Sequence, residues 1–518
     1  MVKKFVLALL FLPFVSIYGQ GTFASMKAQM TDESLPLVNL TYDESKLNSN
    51  SYIEGEIEIV DKQMRTEEGK ESVTYKADFK IRGGSSADLD KKSLAVKLFE
   101  YSKKGKKKDK DVAVFGIRVE NSWILDAMGY DKMRMRNRVC FDLWNEMSSI
   151  PYDTSKDGNP NENNPEKRNG TKGVFVEVFI NGSYNGLYCM SDKIDRKLLN
   201  LTKYDDNDTE DDLEDDAVHG LLYQGHECEG DAGHLLSYDN TADTSKKEWN
   251  TWELEYPDNY PSVKAWKPLK DLIDNLCSKN VSDDVFQQNY NDYFYTSNLV
   301  DYMVMTMALN VMDNLYKNTF LSVRDIKNDV DKMNIFTLTP WDMDGSLGRT
   351  NKGEKLNEVC DVTRYNGVAP YNRLYKNNMD GFVDAVKKKW LELQTTTFSI
   401  EHVHSVLDAY ATMFVSSGAW EREYTKWGGN QTVPLAANLS DELSYVKGWY
   451  ETNFNHLCDS WGWLGDVNGD KKVDLNDVGL LCDIILGNTT EYEFYKADVN
   501  GDDVINAADI VEVISLAE

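Results

Sequence analysis

The sequence predicts an α+β body followed by a small, all-α unit at the C-terminal end. Strand patterns come before helical patterns along most of the chain, two hairpin signals interrupt them, and a twelve-residue acidic segment occurs twice near the end. With 41% hydrophobic and 11% aromatic residues the chain can build a core, which excludes wholesale disorder. Its 57 basic and 86 acidic residues give a net charge of −29, which disfavours general binding to nucleic acids.

The first twenty residues have the pattern of a secretory signal peptide. Lys3 and Lys4 precede an apolar run over residues 5–18, and Gly19 and Gly21 offer small residues near a cleavage point. We therefore predict a signal peptide over 1–20, a secreted or cell-surface location, and a mature chain without a membrane span. An uncleaved membrane anchor is the alternative.

The next segment is rich in strand patterns. Alternating and β-branched residues predict strands at 37–40, 52–60, 75–82 and 91–100. The last two would form a hairpin whose loop contains Gly83, Gly84, Ser85 and Ser86. The lysine-rich segment 103–110 is predicted to be a solvated loop, because its lysines could not be buried together.

From residue 122 the periodicity changes to that of a helix. Apolar residues then recur at four-residue intervals, at Met135, Val139, Leu143 and Met147. A strong hairpin signal follows over 173–189, with Asn-Gly at its turn. Further along, the sequence predicts an exposed acidic loop at 205–216 and two helical regions, at 262–312 and 379–415. Between the helical regions it predicts a second hairpin, formed by 319–323 and 332–338.

The repeated acidic segment predicts two calcium-binding loops. DVNGDKKVDLND begins at residue 466 and DVNGDDVINAAD at 498. A twelve-residue calcium loop takes oxygen ligands from positions 1, 3, 5, 7, 9 and 12, with a backbone carbonyl at position 7. In the first loop these positions hold Asp466, Asn468, Asp470, Lys472 (carbonyl), Asp474 and Asp477. In the second loop they hold Asp498, Asn500, Asp502, Val504 (carbonyl), Asn506 and Asp509.

The residues around these loops define the kind of unit. Val473 and Ile505 are apolar at position 8, and each loop leads into an apolar helix. Position 6, where glycine normally makes the sharp turn, holds Lys471 and Asp503, and position 12 holds Asp instead of Glu. The duplication over 463–518 resembles the type I dockerin family. The resemblance implies two bound Ca²⁺ ions and a cohesin partner on a scaffold or cell surface, in the setting of polysaccharide-degrading assemblies.

The body contains a second, sharper arrangement of acids. Asp313 and Asn318 stand five residues apart after a helical run, a hairpin follows, and Asp342 comes next in WDMDG. Protein kinases use the spacing Asp-x4-Asn, in which Asp receives the substrate hydroxyl proton and Asn holds magnesium. A helix cap at Asp313 and a turn at Asn318 are the alternative explanation.

Several segments in order resemble the CotH family of secreted protein kinases: IRGGSS, KKSLAVKL, SWILDAMGYDKMRMRN, GVFVEVFINGSYNGLYCMSDKID and TPWDMDGSLG. The resemblance implies an atypical, two-lobed, kinase-like domain over 21–462, with N-lobe-like strands at about 37–200 and a helical C-lobe-like part at about 260–460. It also implies that Asp313 is catalytic, and that Asn318 and Asp342, with Asp344 assisting, hold Mg²⁺ or Mn²⁺.

A kinase also needs groups that bind the ATP phosphates. Lys92 is the first candidate and Lys97 the second, although Lys97 could equally be a solvated strand residue. Gly83 and Gly84 could turn the backbone over phosphates, or could simply form a hairpin turn.

These features predict a secreted Ser/Thr kinase that transfers the γ-phosphoryl group of ATP to a protein and is tethered to a cohesin. The alternatives are a non-catalytic or carbohydrate-active component of a polysaccharide-degrading assembly, and a purely structural surface protein.

Overall fold

The structure is a computed structural model that describes most of the 518 residues. The described ranges are 21–67, 69–152, 164–204, 218–227, 230–258, 263–311, 313–328 and 334–517. The predicted signal peptide and the predicted acidic loop at 205–216 lie outside them. Within these ranges no helix is both long enough and apolar enough to cross a membrane.

Strands dominate the first third of the described chain and return before the helical region, as the sequence predicts. Their bounds are β1 Leu37–Thr41, β2 Ile53–Val60, β3 Ser72–Arg82, β4 Ser93–Tyr101, β5 Lys107–Asp109, β6 Val112–Ala113, β7 Val119–Glu120, β8 Ser122–Asp126, β9 Gly173–Ile180, β10 Ser183–Ser191, β11 Leu221–Gly225, β12 Glu248–Trp249, β13 Trp252–Tyr256, β14 Thr319–Val323 and β15 Phe336–Pro340.

Helices lie in the predicted helical regions and also outside them. Their bounds are α1 Phe23–Gln29, α2 Arg136–Met147, α3 Gly230–Gly233, α4 Val263–Leu272, α5 Asp283–Asn289, α6 Thr296–Ala308, α7 Tyr371–Leu374, α8 Phe382–Leu393, α9 Ile400–Ser416, α10 Ala419–Trp427, α11 Leu439–Trp461, α12 Leu475–Ile485, α13 Phe494–Ala497 and α14 Ala507–Ala517. The helical pattern predicted from residue 122 is wrong at its start, because Ser122–Asp126 forms β8, which pairs with β4 and β10, and α2 begins only at Arg136.

The N-terminal strands close into a barrel. Around it each strand pairs with the next in the order β1, β2, β3, β4, β8, β10, β9 and back to β1, and only the β1–β9 pair is parallel. Along β4, Leu94, Val96 and Leu98 are buried in the interior, while Ala95 and Lys97 alternate with them and face outwards. The outer face of the barrel therefore carries a row of small and polar side chains along β4.

One prediction about this region is wrong in part. The lysine-rich segment 103–110 is not entirely a loop, because β5 pairs with residues 99–101 of β4. Its residues are all exposed, as expected for lysines. Lys107 makes the pairing favourable, since its ammonium bonds Glu54 at 2.8 Å and Asp78 at 2.7 Å and lies over the Phe99 ring.

A second sheet, in the order β12, β13, β11, β14, β15, packs against the helices. The hairpin of β14 and β15, at one edge of this sheet, is buried along its whole length, and α6 packs on β15. The predicted apolar face of α2 is buried too, including Val139 and Leu143. This central core holds the ends of β14 and β15 in place, and the candidate site lies at one of those ends.

A buried ion cluster joins the barrel to the helices. The Glu423 carboxylate of α10 accepts hydrogen bonds from Lys91 Nζ at 2.7 Å, Arg134 Nε at 2.8 Å and the Leu187 N–H at 2.7 Å. The side chains of Lys91, Arg134 and Glu423 are all 0% exposed. Two cations share one anion here, so each depends on Glu423 for its stability in the protein interior.

We expect Glu423→Ala to lower the free energy of unfolding by about 3–5 kcal/mol, because it leaves two buried cations without their carboxylate. Urea unfolding followed by tryptophan fluorescence measures this change. Glu421→Ala, at an exposed position of the same helix, is the control and should have little effect. Equal effects of the two substitutions would contradict the role assigned to the cluster.

Candidate functional site

The ends of the β14–β15 hairpin bring Asn318 and Asp342 together. Asn318 comes directly before β14, and Trp341 alone separates Asp342 from the end of β15. The Trp341 N–H donates to the Asn318 carbonyl at 2.8 Å. Both residues have left-handed backbone conformations, with φ of 53° and 50°. Such conformations are uncommon for residues other than glycine and are held by the surrounding structure.

The segment from Asp313 to Asn318 is tied to the same hairpin end. Asp313 Oδ2 accepts from Asn351 Nδ2 at 2.8 Å and from Lys317 Nζ at 3.2 Å. The buried Asn314 side chain donates to the carbonyls of Asn318 at 2.8 Å and Trp341 at 2.9 Å. The acids that the sequence singled out on separate segments therefore belong to one cluster.

The carboxylates of this cluster destabilise one another. The Asp342 side chain is open to a cleft, but the protein crowded around it removes much of its hydration and raises its pKa to about 6. Asp126 and Asp313 raise that pKa further, whereas Arg82 and Lys317 oppose the shift. Burial, and then the charge of Asp342, raise the pKa of Asp344 well above its usual range. The cluster thus carries negative charge that a bound cation would stabilise.

Asp126 and Asn137 are site residues that the sequence analysis did not assign. Asn137, in the first turn of α2, donates from Nδ2 to Asp126 Oδ2 at 3.2 Å and accepts the Met343 N–H at Oδ1 at 3.0 Å. It therefore fixes the backbone between Asp342 and Asp344. The quoted segment SWILDAMGYDKMRMRN contains both residues, but nothing in their spacing reveals that they meet.

A small cleft of about 50 Å³ opens beside the loop over 342–344, and Gly83, Ser86, Ser93, Asp126 and Asp342 contribute to its wall. Gly83 has a φ of 111°, and a Cβ atom there would stand 2.2 Å from Ser86 Oγ. Gly83 is therefore required for this turn, whereas Gly84 has open space around it. The predicted loop also contains a 3₁₀ turn at Ser85–Asp88.

A second cleft, of about 320 Å³, lies between the outer face of the barrel and the second sheet. Lys80, Arg82, Ala95 and Lys97 line it from the barrel, and Phe320 and Trp341 from the other side. Within the described chain neither Lys80 nor Lys97 forms an ion pair, and both ammonium groups lie over the Tyr52 ring, at 5.1 and 4.9 Å. The Arg82 guanidinium lies over the Trp341 ring at 5.2 Å and lines both clefts.

The two candidate phosphate-binding lysines are placed differently. Lys97 reaches the second cleft, as its outward position on β4 requires. Lys92 instead donates to the Ala87 carbonyl at 2.7 Å, within its own loop. Lys92 is near the glycines in the sequence, but the strand register points Lys97 to the space between the barrel and the second sheet.

These residues are compatible with a magnesium ion that shares its coordination with phosphate. Among the described residues, no group of three or more His, Cys, Asp or Glu side chains is arranged to hold a metal ion. Magnesium is usually bound through one or two carboxylates together with substrate phosphates and water, not by an all-protein cage. Asp342 and Asp344 offer those carboxylates, and burial together with neighbouring aspartates raises the pKa of both.

The C-terminal loops have matching internal geometry. The buried Asp477 carboxylate accepts the N–H groups of Asn468 at 3.0 Å and Asp474 at 2.8 Å, and Asp509 accepts those of Asn500 at 3.2 Å and Asn506 at 2.8 Å. At position 6, Lys471 and Asp503 have φ of 67° and 63°. The two departures from glycine therefore keep the backbone turn that glycine usually makes.

The helices that follow the loops pack on each other. Leu481 and Ile484 of α12 and Val513 of α14 form a small core with Val467 and Val499. On the outside, apolar side chains remain exposed on both helices, at Leu475, Val511 and Ile514, and at Leu486 directly after α12. The unit therefore consists of two similar loop-and-helix halves with an apolar outer surface.

Comparison with known families identifies both parts. Residues 79–457 match the family described as CotH kinase protein, and residues 464–516 match the type I dockerin domain. Because the first match covers more than half of the chain, the protein belongs to the CotH kinase protein family. No protein of curated function matches the chain. The dockerin match implies calcium binding and a cohesin partner.

We expect Asp509→Ala to reduce the calcium bound by the full-length chain from about two ions to about one, because it removes a carboxylate ligand from the second loop. Isothermal titration with Ca²⁺ measures the stoichiometry. Glu491→Ala, at an exposed position between the loops, serves as the control. Unchanged stoichiometry in Asp509→Ala would contradict the ligand assignment.

Proposed function

We propose that this protein is a secreted Ser/Thr protein kinase that a calcium-loaded dockerin attaches to a cohesin. The carrying observation is that Asp313, Asn318 and Asp342 converge at one end of the β14–β15 hairpin, beside a basic cleft. Its architecture would be a two-lobed one, with the barrel on one side of the cleft and the helical part on the other.

The nucleotide would bind in the second cleft, between the barrel and the second sheet. Ala95, Phe320 and Trp341 offer apolar surface for a base, and Lys97 and Arg82 offer positive charge for its phosphates. In a chain with a net charge of −29, lysines without ion-pair partners among the described residues stand out as an anion site. Arg82 lines the first cleft as well as the second, so the γ-phosphate of a nucleotide in the second cleft would extend towards Asp342 in the first.

The reaction would be an in-line phosphoryl transfer. The acceptor hydroxyl oxygen forms a bond to the γ-phosphorus while the bond from that phosphorus to the β–γ bridging oxygen breaks, which releases ADP. Asp313 would take the hydroxyl proton, and Asn351 and Lys317 hold its carboxylate in position. Mg²⁺ or Mn²⁺, held by Asn318, Asp342 and Asp344, would supply positive charge to the phosphates. Lys317, bonded to Asp313, would bring positive charge close to the acceptor hydroxyl.

The setting would be extracellular. The pattern of residues 1–20 supports secretion, and the dockerin supports attachment to a scaffold or cell-surface protein. Such attachment would bring the kinase into a polysaccharide-degrading assembly, where neighbouring proteins could be its substrates. In the alternative function, the body is a non-catalytic or carbohydrate-active component of the same assembly.

Phosphoryl transfer is tested by incubating the secreted form with labelled ATP and Mg²⁺ or Mn²⁺ and measuring label in protein. We expect Asp313→Ala to lose about 10²–10⁴-fold in rate, because it lacks the general base. Asp342→Ala should lose both transfer and metal-dependent nucleotide binding. Glu354→Ala, an exposed carboxylate on the loop after Asp344, is the control and should keep the parent rate.

A nucleotide titration on the same samples separates the possible failures. Binding without transfer would mean that the acceptor protein is missing. Absence of both would overturn the kinase proposal and favour the non-catalytic or carbohydrate-active component.

The two lysines are tested by their effect on nucleotide affinity. We expect Lys97→Ala to weaken ATP binding about tenfold, the size expected for one charge-assisted contact. Lys92→Ala should leave affinity nearly unchanged, because its ammonium already bonds the Ala87 carbonyl. Titration with a fluorescent ATP analogue measures both, with Lys108→Ala on exposed β5 as the control. The reverse order of effects would return the role to Lys92.

A further inference from the structure

The two dockerin residues that replace glycine at position 6 both reach the CotH body. Lys471 Nζ lies 3.2 Å from Asp459 Oδ2, near the end of α11. Asp503 Oδ1 lies 2.9 Å from Lys388 Nζ, on α8. The first pair has its positive charge on the dockerin and the second pair has it on the body. The two loops therefore contact the body through the same position of the repeat, but with opposite charges.

Backbone conformation makes these two residues informative. Position 6 requires a left-handed turn, and both Lys471 and Asp503 adopt it with positive φ. Glycine takes that conformation without the steric cost that a side chain brings. A side chain at this position is a disadvantage for the loop itself, so its benefit must come from elsewhere. In both loops the contact that the side chain makes is with the body.

Other contacts hold the same two surfaces together. The buried Gln394 side chain, just after α8, accepts the Leu464 N–H at 2.9 Å and donates to the Gly462 carbonyl at 3.3 Å. Lys387 Nζ donates to Tyr495 Oη at 3.2 Å and lies 5.7 Å from the centre of that ring. The connection between α11 and the first loop is therefore bonded to the body along its length.

We propose that Lys471 and Asp503 are docking residues that seat the calcium-loaded dockerin on α8 and α11 of its own chain. Each exposed ion pair alone contributes little, but opposite polarities at two points admit one orientation of the dockerin and disfavour the reverse. Because position 6 lies inside the calcium loop, the pairs form only when the loop is ordered. Calcium would thus set both the fold of the dockerin and its orientation on the body.

The proposal is tested by amide hydrogen exchange at 462–465 in the full-length, calcium-saturated chain. Lys388→Glu places two like charges at the second pair, and we expect exchange of the Leu464 amide to become about tenfold faster. Adding Asp503→Lys to that variant restores an opposite-charge pair and should return exchange to the parent rate. Lysine is tolerated in this backbone conformation, as Lys471 shows.

Two further samples complete the design. Lys76→Glu is the matched control, since Lys76 is 52% exposed in a 2.7 Å pair with Glu56, and Lys388 is 53% exposed. It should leave exchange at 462–465 unchanged. A calcium titration of each variant verifies that both loops remain filled. Unchanged exchange in Lys388→Glu, or no recovery in the double variant with both loops filled, would overturn the proposal.

Discussion

The structure depends on keeping mutually repelling carboxylates in one place. Burial and the charge of Asp126 raise the pKa of Asp342, and burial and the charge of Asp342 raise the pKa of Asp344, so the loop over 342–344 would move its acids apart if it were free. Neutral side chains hold this loop in place. Asn137 Oδ1 accepts the Met343 N–H between the two loop acids, and Asn314 Nδ2 donates to the carbonyls of Asn318 and Trp341 at the hairpin end. Amides suit this task because they supply hydrogen bonds without cancelling the charge that a cation site needs.

Around the loop over 342–344, buried charged side chains form ion pairs with one another. Asp131 bonds Arg136, Arg136 bonds Glu442, and Glu442 also bonds Arg349 beyond the acidic loop, all of them buried. This chain links α2, α11 and the loop, much as Glu423 links α10 to the barrel. Paired charges thus join these elements in the protein interior.

Sequence patterns predict the parts of the molecule whose cause is local. The alternation around Val96, the Asn-Gly turn before β10 and the twelve-residue spacing of the calcium loops each have a short-range reason, and the structure has all three. Long-range meetings have no such signal. The hydrogen bond between Asn137 and Met343 joins residues that are 206 positions apart in the sequence. The ion pair between Lys91, the neighbour of Lys92, and Glu423 joins residues that are 332 positions apart. The placement of Lys97 at the second cleft does have a local cause, because the alternation along β4 points it outwards.

The connection between the two parts is short enough to have a geometric consequence. Helix α11 ends at Trp461 and the first calcium loop begins at Asp466, so only 462–465 lie between them. Fully extended, four residues span at most about 14 Å. A protein that the dockerin binds therefore stays within a short, limited distance of the clefts of the body. The reach of the clefts around a bound cohesin is therefore set by these four residues and not by a long flexible linker.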